Sequence, residues 1–166
     1  MKKIFLFTAM LFILSFVLFA EDGGQTGTKA AIGISPEWNL NSRDSLAAGA
    51  VLAVDFNVSS SFALGANATV SSDFSDITVI EPAAMFRWYL LSKEHAGSFA
   101  AGNGLFLQAD VGAYLVLEND EVTPLFLGGL RTGVRLPFGN TFFIEPYGRI
   151  GYPFIFGFGF LTGIRF

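Results

Sequence analysis

The stretch Phe154–Phe166, FIFGFGFLTGIRF, decides the fold. Taken alternately, one face carries Phe154, Phe156, Phe158, Phe160, Thr162, Ile164 and Phe166. The other carries Ile155, Gly157, Gly159, Leu161, Gly163 and Arg165. A repeat of two belongs to a β-strand, whose side chains point alternately to opposite faces. One face is almost wholly aromatic, and the other is small and ends in an arginine. A soluble sheet is able to bury such aromatics. A strand so lopsided, ending on Phe, suits a wall with lipid outside and a narrow, filled interior.

Working outward, the same alternation recurs upstream. The pattern predicts strands near residues 29–38, 46–56, 62–71, 78–90, 105–117, 125–136 and 141–150, which with 154–166 makes eight. Polar, acidic or glycine-bearing connections fall between them, at 39–45, 57–61, 72–77, 91–104, 118–124, 137–140 and 151–153. The expected fold is therefore all-β: an eight-stranded antiparallel up-and-down transmembrane barrel, closed by pairing the last strand with the first around Ala30–Trp38. Strands of ~9–11 tilted residues cross a bilayer, which suits these lengths.

The 166 residues suffice for one domain. Lys2 and Lys3, the apolar run Ile4–Phe19 and the small Ala20 before Glu21-Asp22-Gly23-Gly24 read as a secretory signal peptide, residues 1–20. A retained N-terminal anchor is the competing reading, since Leu18 is an imperfect residue at the −3 position. Residues 21–28 form a polar lead-in, and 29–166 form the barrel. Removing Lys2 and Lys3 takes the net charge from −4 to −6, and no basic stripe exists for nucleic acid. With no cysteine, a lipoprotein anchor, disulfides and thiolate metal or redox sites are excluded.

An even strand number puts both ends on one side. If that side is the periplasm, the connections at 57–61, 91–104 and 137–140 are periplasmic and the others extracellular. The aromatics then sort into two girdles: Trp38, Tyr152 and Phe154 at the outer interface, and Phe56, Phe62, Trp88, Phe142 and Phe166 at the inner one. The competing explanation is that these aromatics fill a soluble core.

Nine charges fall on the non-aromatic faces: Asp55, Glu81, Arg87, Asp110, Arg131, Arg135, Glu145, Arg149 and Arg165. Slipping the sixth strand by one residue would put Arg131 and Arg135 into lipid, at ~2–4 kcal/mol each near the midplane. These residues are read as an interior salt-bridge network. Such a network either plugs and rigidifies a narrow barrel or lines an ion path. Inward glycines, among them Gly157 and Gly159, leave room either for water or for folded arginines and tyrosines.

Catalytic and metal chemistry is thin. His95 is the only histidine, in a predicted periplasmic connection, so a hydrolase triad on the outer side lacks its base. One His and no Cys make no zinc or iron ligand set, and no cofactor is expected. Gly102-Asn103-Gly104 lacks the Lys-Ser/Thr of a phosphate loop and reads as a turn. Asp44, Asp73, Asp76, Glu118, Asp120 and Glu121 read as a solvated acidic rim, a calcium site being the alternative.

Val54-Asp55-Phe56-Asn57, Phe62-Ala63-Leu64-Gly65-Ala66, Glu81–Tyr89 and the terminal Phe-Leu-Thr-Gly-Ile-Arg-Phe resemble the small outer-membrane barrels of the OmpA- and OmpX-like family, over nearly the whole chain after residue 20. The resemblance implies residence in the bacterial outer membrane, contact with its lipid, and a terminal strand read by the barrel-assembly machinery. Ile164 and Phe166 match the apolar pair of that signal, and Leu161 stands where a glycine is frequent. Three roles stay open: a structural or surface-interaction barrel without catalysis, a narrow pore for ions or small solutes, and a soluble lipocalin-like barrel with aromatics inward and charges outward.

Overall fold

The computed structural model describes residues 30–41, 46–59, 61–74, 77–90, 104–118 and 121–166. The signal-peptide, lead-in and His95 expectations lie outside the described residues, as do Arg43, Asp44, Asp76 and Asp120 of the outer connections. Eight strands follow one another: β1 Ala30–Asn41, β2 Leu46–Asn57, β3 Phe62–Ser72, β4 Thr78–Tyr89, β5 Gly104–Glu118, β6 Glu121–Phe138, β7 Phe142–Tyr152 and β8 Phe154–Arg165. Each pairs antiparallel with its chain neighbours, and β8 pairs with β1 to close the barrel. The closure joins Ile32 to Ile164 and Ile34 to Thr162, within the segment expected from the sequence.

Cross-strand registers fix the barrel's shape. From Ala30 the partners run through Phe56, Leu64, Phe86, Ala109, Leu130, Ile150 and Phe156, and return to β1 at Leu40. One circuit thus advances from Ala30 to Leu40. At ~3.3 Å per residue and ~4.8 Å between strands, that stagger tilts the strands about 40° from the axis. A 12-residue strand such as β1 then rises ~30 Å along the axis, the thickness of a bilayer's hydrocarbon core.

The two faces are chemically opposite. Outward lie Ile34, Leu52, Leu64, Phe86, Trp88, Leu130, Ile150, Phe156, Phe158 and Phe160, all exposed on the wall. Inward lie the buried charged and hydroxyl side chains together with Tyr89, Phe106, Phe143, Tyr147 and Leu161. The reversed, lipocalin-like assignment is overturned, because the charges point in and most of the aromatics point out. Trp38 stacks on Phe158, at 5.4 Å between ring centroids, near the end that carries the β1–β2, β3–β4, β5–β6 and β7–β8 connections. This end is called outer, after the orientation expected from the sequence, and the opposite end inner. Phe62 stacks on both Phe86 and Trp88 near the inner end. Tyr152, Ile164 and Phe166 are also exposed on the wall side.

Three expectations need correction. Phe154 is no outer-girdle residue: it is 2% exposed, inside the barrel. Leu40 pairs with Phe156 while Asn41 pairs with Phe154, so β8 carries one extra residue. Such a bulge reverses the alternation beyond it. Ile155 and Phe156 both face out, and Phe154 turns in. Second, the acidic connection 118–124 is mostly strand: Glu118 pairs with Glu121, and Leu115 with Pro124. Third, Arg165 sits at the inner mouth, where Nε donates to the Asn140 carbonyl and Nη2 to that of Gly139, at 3.1 and 2.6 Å. The side chain is long enough to reach past its own strand and fasten the β6–β7 turn.

Candidate functional site: the charged interior

Alternation sends every second residue of each strand into the lumen, and in an eight-stranded barrel those side chains must fill it. Five buried carboxylates meet five arginines among the described residues: Glu37, Asp55, Glu81, Asp110 and Glu145 against Arg87, Arg131, Arg135, Arg149 and Arg165. Glu37 was missed by sequence reasoning. Its parity with Ser35 and Asn39 on β1 was the available signal, since all three are buried.

The registers place three arginines on one line around the wall. Arg87 lies opposite Gln108, Gln108 opposite Arg131, and Arg131 opposite Arg149. Like charges directly across a strand pair repel. The carboxylates that offset this come from across the lumen.

Near the inner end, Arg135 of β6 grips Asp55 of β2 with two bonds, Nη1 to Oδ1 at 3.1 Å and Nη2 to Oδ2 at 2.6 Å. Arg87 of β4 grips Glu145 of β7 in the same two-pronged way, at 2.8 and 2.9 Å. Arg135 Nε also donates to Glu145, at 2.7 Å, and Arg87 Nε donates to Gln108, at 2.8 Å. Paired guanidinium–carboxylate bonds of this kind are both stronger and more directional than single ones. Arg87 lies 4.1 Å from the Phe106 ring centroid and Arg135 4.3 Å from that of Phe143, so rings cover the cations.

Nearer the outer end, Arg149 of β7 grips Glu81 of β4 at 2.7 and 3.1 Å and reaches Glu37 of β1 at 3.0 Å. It also donates to Asn39 Oδ1 and lies 3.9 Å above the inward Phe154 ring. Tyr147 donates its hydroxyl proton to Glu37 at 2.6 Å. Strands β4 and β7 are therefore joined twice. Glu81 meets Arg149 near the outer end and Arg87 meets Glu145 near the inner end, with the charge order reversed between the two braces.

Arg131 lies between the clusters. Its ion contacts are longer, 3.6 Å to Asp110 and 3.8 Å to Glu37, and neither Nε nor Nη2 has a hydrogen-bond partner in the structure. Tyr147 covers its guanidinium at 4.4 Å. Asp110 is held instead by Asn67 and Gln108, at 2.8 and 2.7 Å.

The inward glycines serve this packing. A Cβ at Gly157 would strike Asn39 Oδ1 and lie 3.0 Å from Arg149 Nε, and one at Gly159 would meet the Tyr147 hydroxyl. On β8 the missing side chains are the space into which an arginine and a tyrosine from β7 fold. Among the described residues no cluster of His, Cys, Asp and Glu is arranged to hold a metal.

No family model matches the chain, and no curated protein matches it. Solved structures do. The N-terminal β-barrel domain of OprF from Pseudomonas aeruginosa aligns with a TM-score of 0.58 at 12% identity, over 86% of this chain and 100% of that one. Neisserial surface protein A aligns with a TM-score of 0.58 at 10% identity, over 86% and 98%. The fold is that of the small outer-membrane barrels.

Proposed function

We propose that this chain is an outer-membrane barrel with a structural and surface-presenting role, its lumen closed by the charged network. The observation that carries this reading is the cross-lumen bracing. Bonds from β6 to β2 and from β4 to β7 cross the lumen where a water column would have to run. The apolar outer wall, about as tall as a bilayer core, supports residence among lipids. The likeness to OprF and Neisserial surface protein A supports the outer membrane as that place. Ile164 and Phe166 are the residues proposed to address the chain to the barrel-assembly machinery. Neither catalysis nor a cofactor is part of this reading.

A narrow pore is the second reading, and Arg131 favours it, because its contacts are the loosest among the interior arginines gripping carboxylates. Fractionation tests location: recovery with outer membranes and heat-modifiable gel mobility are expected, and recovery in a soluble fraction without detergent contradicts it. Liposome swelling with a small sugar separates the two readings of the lumen; the sealed barrel leaves the vesicles unswollen.

A further inference from the structure

We infer that the free edge of β6 above the barrel wall is a docking site for an extended, basic segment of a partner protein, which joins the sheet as an added strand. This deepens the surface-presenting role proposed above and rests on it.

The strand lengths point there first. β5 has 15 residues and β6 has 18, against 11 or 12 in the other strands. β6 pairs with β5 from Glu121 onward, but its pairing with β7 begins only at Gly128 opposite Tyr152. Over residues 121–127, one edge of β6 is taken, and among the described residues no strand pairs with the other. Seven residues of strand span ~23 Å, and alternate residues turn both backbone groups toward the free side. Glu121–Phe126 are exposed on both faces, including Val122, Leu125 and Phe126 at 47%, 38% and 62%. A strand in the closed wall has one buried face, whereas residues 121–126 have none, although β5 beside them stays paired with β4 as far as Leu117.

At the foot of the edge the wall opens into a groove of about 630 Å³, lined among others by Gly128, Leu130, Ile150, Tyr152, Phe154 and Ile155. It lies where β7 turns away after Tyr152 and where Gly128, Gly129 and Gly151 supply no side chains. A strand laid along β6 would bring one of its side chains over this groove, which suits an apolar group. Free edges are ordinarily blunted. Pro124 interrupts the middle of this one, since a proline within a strand belongs where no ladder bond is needed. A guest must bond on either side of it, which restricts both register and partner.

Charge selects the occupant. The described charged residues of the outer connections are Asp73, Glu118 and Glu121, all acidic, while the described arginines lie inside the barrel or at its inner mouth. A second copy in the same membrane would set Glu118 and Glu121 at the height of their counterparts, like charge against like. A segment with Lys or Arg flanking an apolar residue complements both rim and groove, and main-chain bonds to the edge supply the rest.

The full chain in lipid nanodiscs provides the test. The probe is a short synthetic peptide of alternating Val and Thr, with one central Phe and Lys at both ends. The control is the same peptide methylated on alternate backbone nitrogens, which removes strand bonding and leaves the side chains intact. The plain peptide is expected to slow hydrogen exchange over residues 121–127 and to bind at least about tenfold more tightly than the methylated one. Glu118→Gln with Glu121→Gln should weaken that binding and flatten its salt dependence. Equal binding of the two peptides overturns the proposal, as does no binding. So does protection of 121–127 by the lipid alone that the peptide leaves unchanged, which would assign the groove to an acyl chain. Swelling of liposomes would contradict the sealed lumen and leave the strand-addition result to be judged separately.

Discussion

Glu145 holds two guanidinium groups at once, those of Arg87 and Arg135. Truncation would leave two buried cations short of an anion, and breaking such a pair from one side costs ~3–5 kcal/mol. Glu145→Ala is therefore expected to lower the unfolding free energy by that amount, measured by urea titration of the barrel refolded in vesicles. Phe154 offers a second test. Phe154→Ala empties a packed position over Arg149 and should cost ~3–5 kcal/mol, whereas Tyr152→Ala, on the wall two residues away, should cost far less. Equal losses would mean that both rings face the same way. The charges show how much of the site was legible. Asp55, Glu81, Arg87, Asp110, Arg131, Arg135, Glu145 and Arg149 all turned inward as their parity required, and Glu37 obeys the same rule. Their partners were not legible, because Arg135–Asp55 and Arg149–Glu81 span 80 and 68 residues, and no local pattern encodes such a separation.

β8 shows where an element departs from its pattern. Period two reads correctly from Phe156 to Arg165 and fails at Phe154, because one bulge residue leaves the ladder and no composition signal marks it. Deleting Ile155 removes the extra residue and leaves the Leu40–Phe156 and Asn41–Phe154 pairings as they are, so Phe154 should stay inside over Arg149 and remain shielded from surface-directed quenchers; exposure of Phe154 in that variant would mean that the bulge lies elsewhere. Gly157→Val places a branched side chain against Asn39 and Arg149, and overpacking of this kind costs ~1–3 kcal/mol. The same urea titration measures it. Phe166→Ser should act differently. Phe166 is exposed at the inner end, so the finished barrel should keep its stability while insertion in cells falls. Normal insertion of that variant would refute the assembly role proposed for Ile164 and Phe166.

At the scale of the molecule, two requirements meet in one register. The outer face must satisfy lipid and the inner face must neutralise its own charges, and a one-residue slip of any strand would defeat both. That coupling explains why barrel closure and strand count were readable from alternation alone. The outer end of β6, residues 121–124, was not, because Glu121–Phe126 are exposed on both faces and alternation there carries no information. The cross-lumen braces join opposite walls of the cylinder, although each strand contributes only a few inward side chains. The most direct test of that filled lumen is single-channel recording of the purified, refolded chain in a planar bilayer. The braces between β4 and β7 and between β6 and β2 predict insertion without unitary current steps. Steady steps of one size accompanying each insertion would contradict them.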